Sequence, residues 1–207
     1  MLNMVMEQKD KATKAVNDFI TRSTLWLNKN LLKIENEPGT DDQKADKVIN
    51  LIAIVCAGVA VQPIPFADFF ILTPIQIYMG SRLAKIYGWE ISKEESEQIV
   101  KNVLGAIGMG VIAQHLAIGI YKFIPFLGAI TTIPIVYGLT SAIGGVIKKY
   151  IKCKIDGTDF VPKEMNEFFT SIVNDSKQRG KDLIDEVKKT AEDIKEEKGE
   201  DENDDKQ

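Results

Sequence analysis

The sequence predicts an all-α protein. Apolar residues recur at helical spacing through both ends of the chain, and the interior holds long apolar runs punctuated by proline and glycine. No stretch shows the two-residue alternation of a half-buried strand. The expected architecture is two apolar helical hairpins flanked by N- and C-terminal amphipathic helices, with a disordered acidic tail. The corresponding divisions are 1–40 for the first helix and linker, 41–155 for the hairpins, 156–198 for the last helix and 199–207 for the tail.

The first amphipathic helix covers about residues 3–35. Val16, Phe19, Ile20, Trp26, Leu27, Leu31 and Ile34 form its apolar stripe, and a break would fall near Ser23. Asn36 to Asp42, with Pro38-Gly39, reads as a linker, and Asp41 or Asp42 is the expected N-cap of a helix from about Gln43 to Val61. Pro63-Ile64-Pro65 stops that helix, because proline lacks an N–H and pushes the residue before it out of the α region. The next helix starts either with Asp68 as N-cap or with Thr73 as N-cap and Pro74 at the first helical position. It ends at Tyr87, with Gly88 suited to a left-handed C-cap.

Ser92-Lys93-Glu94-Glu95 is a capping box opening a helix that turns wholly apolar from Val103 to Tyr121. Lys122 to Gly128, with Pro125, forms a second tight turn before a helix from about Ala129 to Lys152. Asp156 to Pro162 is a loop. Pro162 then begins the last amphipathic helix, whose apolar positions include Met165, Phe169, Val173, Val187 and Ile194, and Gly180 is where it would be interrupted.

Charge is partitioned along the chain. From Val103 to Ile147 the only charged side chain is Lys122, whereas Lys181 to Gln207 carries 12 acidic and 6 basic residues. The net charge of −4 therefore belongs to the tail and says little about partners; nothing points to nucleic acid. Cys56 and Cys153 show neither a pairing pattern nor metal-ligand spacing, which predicts free thiols in a reducing compartment. The N-terminus lacks a basic region followed by an apolar one, so no cleaved signal peptide is expected.

No constellation of catalytic residues emerges. His115 is the only histidine, there is no phosphate loop of the GxxxxGK[ST] kind, and no H-E-x-x-H occurs. No catalytic residue, cofactor site or metal site is therefore expected. Asp68 is the one acid within an apolar run; it reads as an N-cap or as a buried carboxylate bonding Gln76, Arg82 or a partner group.

Four runs bear on a membrane: Val48–Gln62, Ile64–Ser81, Val103–Tyr121 and Phe123–Ile147. Only the last two reach the roughly 20 apolar residues a spanning helix needs. Small residues four apart, such as Ala53/Ala57, Cys56/Ala60, Gly138/Ala142 and Ser141/Gly145, suit close helix packing in lipid and equally in a tight soluble bundle. Lys148, Lys149, Lys152 and Lys154 follow the last run, where they would meet anionic lipid headgroups at a cytosolic membrane edge.

The stretch Cys56 to Ser92, with the second turn and helix from Phe123 to Gly144, resembles domain-of-unknown-function family 697, also called the YcjF-like family. The matching elements are Pro63-Ile64-Pro65-Phe66-Ala67-Asp68, Gln76, Ile86-Tyr87-Gly88 and Ile124-Pro125-Phe126-Leu127-Gly128. The resemblance spans about Lys44 to Ile151. It implies a helical, often membrane-annotated module commonly joined to an Era-like GTPase domain. Here no GTPase motif is present and Pro74 falls inside the family's helix, so a GTPase would act in trans.

The functional expectation is a non-catalytic, membrane-associated helical protein serving as anchor or partner for an Era-like GTPase or another membrane-acting factor. Its expected place is the bacterial inner membrane with both termini facing the cytosol. Two alternatives remain open: a cytoplasmic helical scaffold with a buried apolar core, and a pore-like homo-oligomer lined by Gln114, His115 and threonines.

Overall fold

The computed structural model describes residues 2–60, 67–107 and 128–197. Within them the chain forms seven helices and no strand: α1 (Leu2–Asn36), α2 (Asp41–Ala60), α3 (Ala67–Ile86), α4 (Lys93–Ile107), α5 (Gly128–Asp156), α6 (Pro162–Asp182) and α7 (Ile184–Glu196). The Pro63-Ile64-Pro65 turn, the Lys122–Leu127 turn, Gln114, His115 and the acidic end from Lys198 lie outside the described residues. Gly128 opens α5, and Asp68 falls in the first turn of α3.

The helix ends show local sequence chemistry at work. Thr40, not Asp41 or Asp42, caps α2: its hydroxyl accepts from the Gln43 N–H at 3.3 Å, and the Gln43 side chain accepts from the Thr40 N–H at 3.0 Å. This is a reciprocal capping box that frees both aspartates for other work. The Ser92–Glu95 box forms as the spacing predicts, at 3.1 and 2.7 Å. At the end of α3, Gly88 takes φ +72°, its N–H donates to Lys85 at 3.0 Å, and the Trp89 N–H donates to Ala84 at 2.9 Å. That double bond pattern is a Schellman cap, and it needs a residue without a Cβ at the left-handed position.

Three expectations about helix continuity are corrected. Ser23 does not break α1, which runs through it and buries it completely. Thr73-Pro74 does not start a helix; Pro74 lies inside α3, exposed beside the buried Leu72 and Ile75. The C-terminal break falls at Leu183 rather than Gly180. Gly180 instead serves packing, because a Cβ there would lie 2.8 Å from the Pro134 Cα on α5.

α5 is the centre of the fold. From Thr132 to Ile147 every residue but Gly145 is buried, so this helix is apolar on all sides and covered on all sides. Its most extensive partners are α6 and α2, and it also touches α3, α4 and α7. α2 is likewise buried without interruption from Ile52 to Ala60. One face of α2 joins the main core with Met79, Leu83, Val146 and Phe169; another joins Ile133, Tyr137 and Val187 beneath α7. Each fully buried Leu, Ile or Phe contributes about 1.5–3 kcal/mol, which makes this two-sided burial the main support of the fold.

Glycines set the helix spacings. A Cβ at Gly144 would lie 2.9 Å from Ile49, and one at Gly145 would meet Ile172. The Gly138/Ala142 and Ser141/Gly145 pairs thus serve contacts between the protein's own helices. Cys56 and Cys153 are free thiols, and burial pushes the Cys56 thiol up to about 12, leaving it protonated and unreactive.

Among the described residues, no helix is long and apolar enough to cross a membrane. Val48–Gln62, too short to span, forms protein core in its described part, and so does the described part of the longer candidate Phe123–Ile147.

Replacing Gly180 by alanine is expected to destabilise the protein by about 1–3 kcal/mol, since backbone stands where the methyl must go. Gly105→Ala, on an exposed face of α4 where an added Cβ meets nothing within 4 Å among the described residues, is expected to stabilise by about 0.5–1 kcal/mol through helix propensity. Urea unfolding midpoints of the two variants check both signs.

Candidate functional site

Charged residues at the edge of the core converge at one end of the α2–α5 pair. The two helices run antiparallel, so Asn50 meets Tyr137, Asp46 meets Lys148 and Asp42 meets Lys152. Aspartates four apart on α2 therefore face lysines four apart on α5, as helical spacing requires. Lys152 Nζ donates to both Asp42 oxygens at 3.0 and 2.8 Å, and Lys148 Nζ donates to Asp46 Oδ1 at 2.8 Å while lying 3.4 Å from Asp42. The Schellman cap of α3 brings in Tyr87, whose hydroxyl donates to Asp42 Oδ1. Lys152 also lies 6.0 Å from the centre of the Tyr87 ring.

Asp42 is thus the hub joining α2, α3 and α5. The hydrogen bond from Lys152, then that from Tyr87, holds its carboxyl well below the usual carboxylate range. Burial, and then the hydrogen bond to Asp42, pushes the Tyr87 phenol up. Asp42 raises the Lys152 ammonium as well. Every shift moves a group away from neutral pH and fixes its resting charge. A general acid or base needs the opposite, a pKa drawn toward neutrality, so the cluster behaves as a structural latch.

Beside the latch a cleft of about 500 Å³ opens between α2, α5 and α6. Its floor is apolar, with Ile49, Gly145, Phe168 and Ile172, and Lys148, Lys149, Lys152 and Arg179 stand along it. Tyr137 donates its hydroxyl proton to Asn50 Oδ1 at 2.6 Å inside this cleft.

The structure therefore divides the residues expected to act together. Tyr87, Lys148 and Lys152 meet in the latch. Lys149 reaches the same cleft with Nζ 5.1 Å from the Phe168 ring centre, while Lys154 turns to Tyr150, 5.6 Å from its ring centre, on another face. Gly88 supports Tyr87 through the helix cap, and Gln76 is half-buried on α3. Pro63, Pro65 and Pro125 lie outside the described residues, as do the side chains of Asp68 and every atom of Gln114 and His115. Arg82, a proposed partner for Asp68, pairs with Glu35 of α1, both side chains about one-seventh exposed.

Sequence reasoning placed Asp42 at a helix cap and overlooked it as a hub. The matched four-residue spacing of Asp42/Asp46 and Lys148/Lys152 was the available signal. Glu35–Arg82 and the Arg22 bonds to the Lys195 and Glu197 carbonyls, at 3.1 and 2.7 Å, had no local signature.

The model of the domain of unknown function DUF697 matches residues 35–151, more than half of the chain. The chain belongs to the DUF697 family. Asp42, Asp46, Tyr87 and Lys148 fall inside the DUF697 match, with Lys152 one residue beyond it, whereas α6, α7 and Arg179 lie outside. A curated relative, "Magnetosome membrane protein 22" of Magnetospirillum gryphiswaldense, is 26% identical over 117 residues, covering 53% of this chain and 58% of its own length. The match thus takes in little more than half of that relative. No solved structure matches the chain.

The latch makes a signed prediction about pH. Because its folded-state pKa is depressed, Asp42 adds stability wherever the unfolded chain would also keep it ionised, above about pH 4. That contribution drains as pH falls below 4 toward the folded value. Asp42→Asn is expected to lower the urea midpoint at pH 7 and to leave a smaller drop between pH 7 and pH 3 than the parent shows. Tyr87→Phe is expected to cost about 1 kcal/mol at pH 7.

Proposed function

We propose that this DUF697 protein is a non-catalytic helical protein that works at a membrane, as anchor or partner for an Era-like GTPase or another membrane-acting factor. The observation that carries the membrane half is the similarity to a relative named as a magnetosome membrane protein. The apolar sequence between residues 108 and 127, with Lys122 as its only charge, supports it. The apolar runs of α2 and α5 are occupied by protein contacts, so lipid contact falls to apolar sequence such as this stretch. The GTPase half rests on the family resemblance, and its partner would be a separate chain.

A second reading, a helical scaffold with a buried apolar core, is favoured by the coverage of α2 and α5 on every side.

Fractionation of native cells decides between them. The membrane reading expects the protein to pellet with membranes after a high-salt wash and to remain through carbonate. A variant carrying Ile112→Glu and Ile118→Glu is expected to leave the carbonate pellet while keeping its helical circular dichroism. Recovery of the unaltered protein in the soluble fraction from the outset contradicts the membrane reading and supports the scaffold.

A further inference from the structure

The α2–α5–α6 cleft has features that the latch does not use. Lys148 and Lys152 are committed to Asp46 and Asp42, but among the described residues no carboxylate pairs with Arg179. Arg179 is exposed at the mouth of the cleft, at the end where Tyr137, Ser141 and Ser176 line the wall. Ser141 is 7% exposed and its Oγ makes no well-formed hydrogen bond, although a buried hydroxyl without a partner is costly. Ser176 is 8% exposed at the same end. The neighbouring Tyr137 hydroxyl is already spent on Asn50. With Lys148 and Lys152 offset by Asp46 and Asp42, Lys149 and Arg179 stand over the apolar floor, and Asp156 is the remaining acid of the lining.

We infer that this cleft binds a phosphate ester, its phosphate held by Arg179 and the Ser141 and Ser176 hydroxyls and its less polar part lying along Ile49 and Ile172. An arginine presents a planar fork of donors that matches phosphate oxygens, and the serine hydroxyls beside it supply further donors. A volume of about 500 Å³ suits a small ester or the headgroup region of a lipid. The inference does not rest on the membrane reading, since a soluble ester satisfies the same donors.

The test uses the full chain and two probes. Phosphatidylcholine vesicles with and without phosphatidate report lipid binding by co-sedimentation, and glycerol 3-phosphate in buffer reports soluble binding by calorimetry. Saturable binding to at least one probe, displaced by inorganic phosphate, is expected. Arg179→Gln should weaken it about tenfold or more, as loss of a charged hydrogen-bonding group does, while Lys101→Gln, removing an exposed cation on α4, should leave it unchanged. Phosphatidate binding alone identifies a lipid headgroup as the source, and glycerol 3-phosphate binding identifies a soluble ester. Failure to bind either probe, or equal losses from the Arg179 and Lys101 variants, overturns the inference. Ser141→Ala removes one buried oxygen and serves if the arginine variant misfolds; it should weaken binding several-fold at an unfolding midpoint no lower than the parent's, and full retention of binding counts against the site.

Discussion

A helix that is apolar on every side has to be covered on every side, and α5 imposes that demand on the rest of the chain. α6 and α2 supply most of the cover, with α3, α4 and α7 closing the remaining directions. Close approach depends on small residues at the crossings: Gly144 against Ile49, Gly145 against Ile172, and Gly180 against Pro134. α2 repeats the problem on a smaller scale, and its second face is what α7 is there to cover.

Such cover is non-directional, so other contacts must fix the register. The pairing of Asp42 and Asp46 with Lys148 and Lys152 does this for α2 against α5, because a shift by one residue would turn the charges out of alignment. Tyr87 extends the same network to the end of α3. These groups are partly exposed, with side-chain accessibilities of 48% for Asp42 and 42% for Lys152, so solvent screening keeps their energetic weight modest. Their value lies in alignment, and burial supplies the bulk of the free energy. Glu35 and Arg82 do the equivalent for α1 against α3 in a drier setting.

What was legible in the sequence follows the range of the forces involved. The helical class, the Ser92 capping box and the Gly88 C-cap are written within a few residues, and so are their physical causes. Family membership was legible too, through short motifs in order. The Thr40–Gln43 box was equally local, yet two adjacent aspartates drew attention from it. Pro74 misled for a different reason. The local rule puts proline at a helix start, but buried contacts of Leu72, Ile75 and Met79 favour one continuous α3. The latch and the cleft join residues about a hundred positions apart, and only the antiparallel register of α2 and α5 brings them together.

The same register decides how the apolar composition should be understood, since residues that would suit a bilayer are occupied by protein. The most direct measurement is photolabelling of the chain mixed with lipid vesicles that carry a lipid-soluble carbene reagent, mapped by peptide mass spectrometry. The account predicts no label on α2 from Ile52 to Ala60 or on α5 from Ile133 to Ile147. Labelling of either stretch at the level of a spanning helix would contradict it.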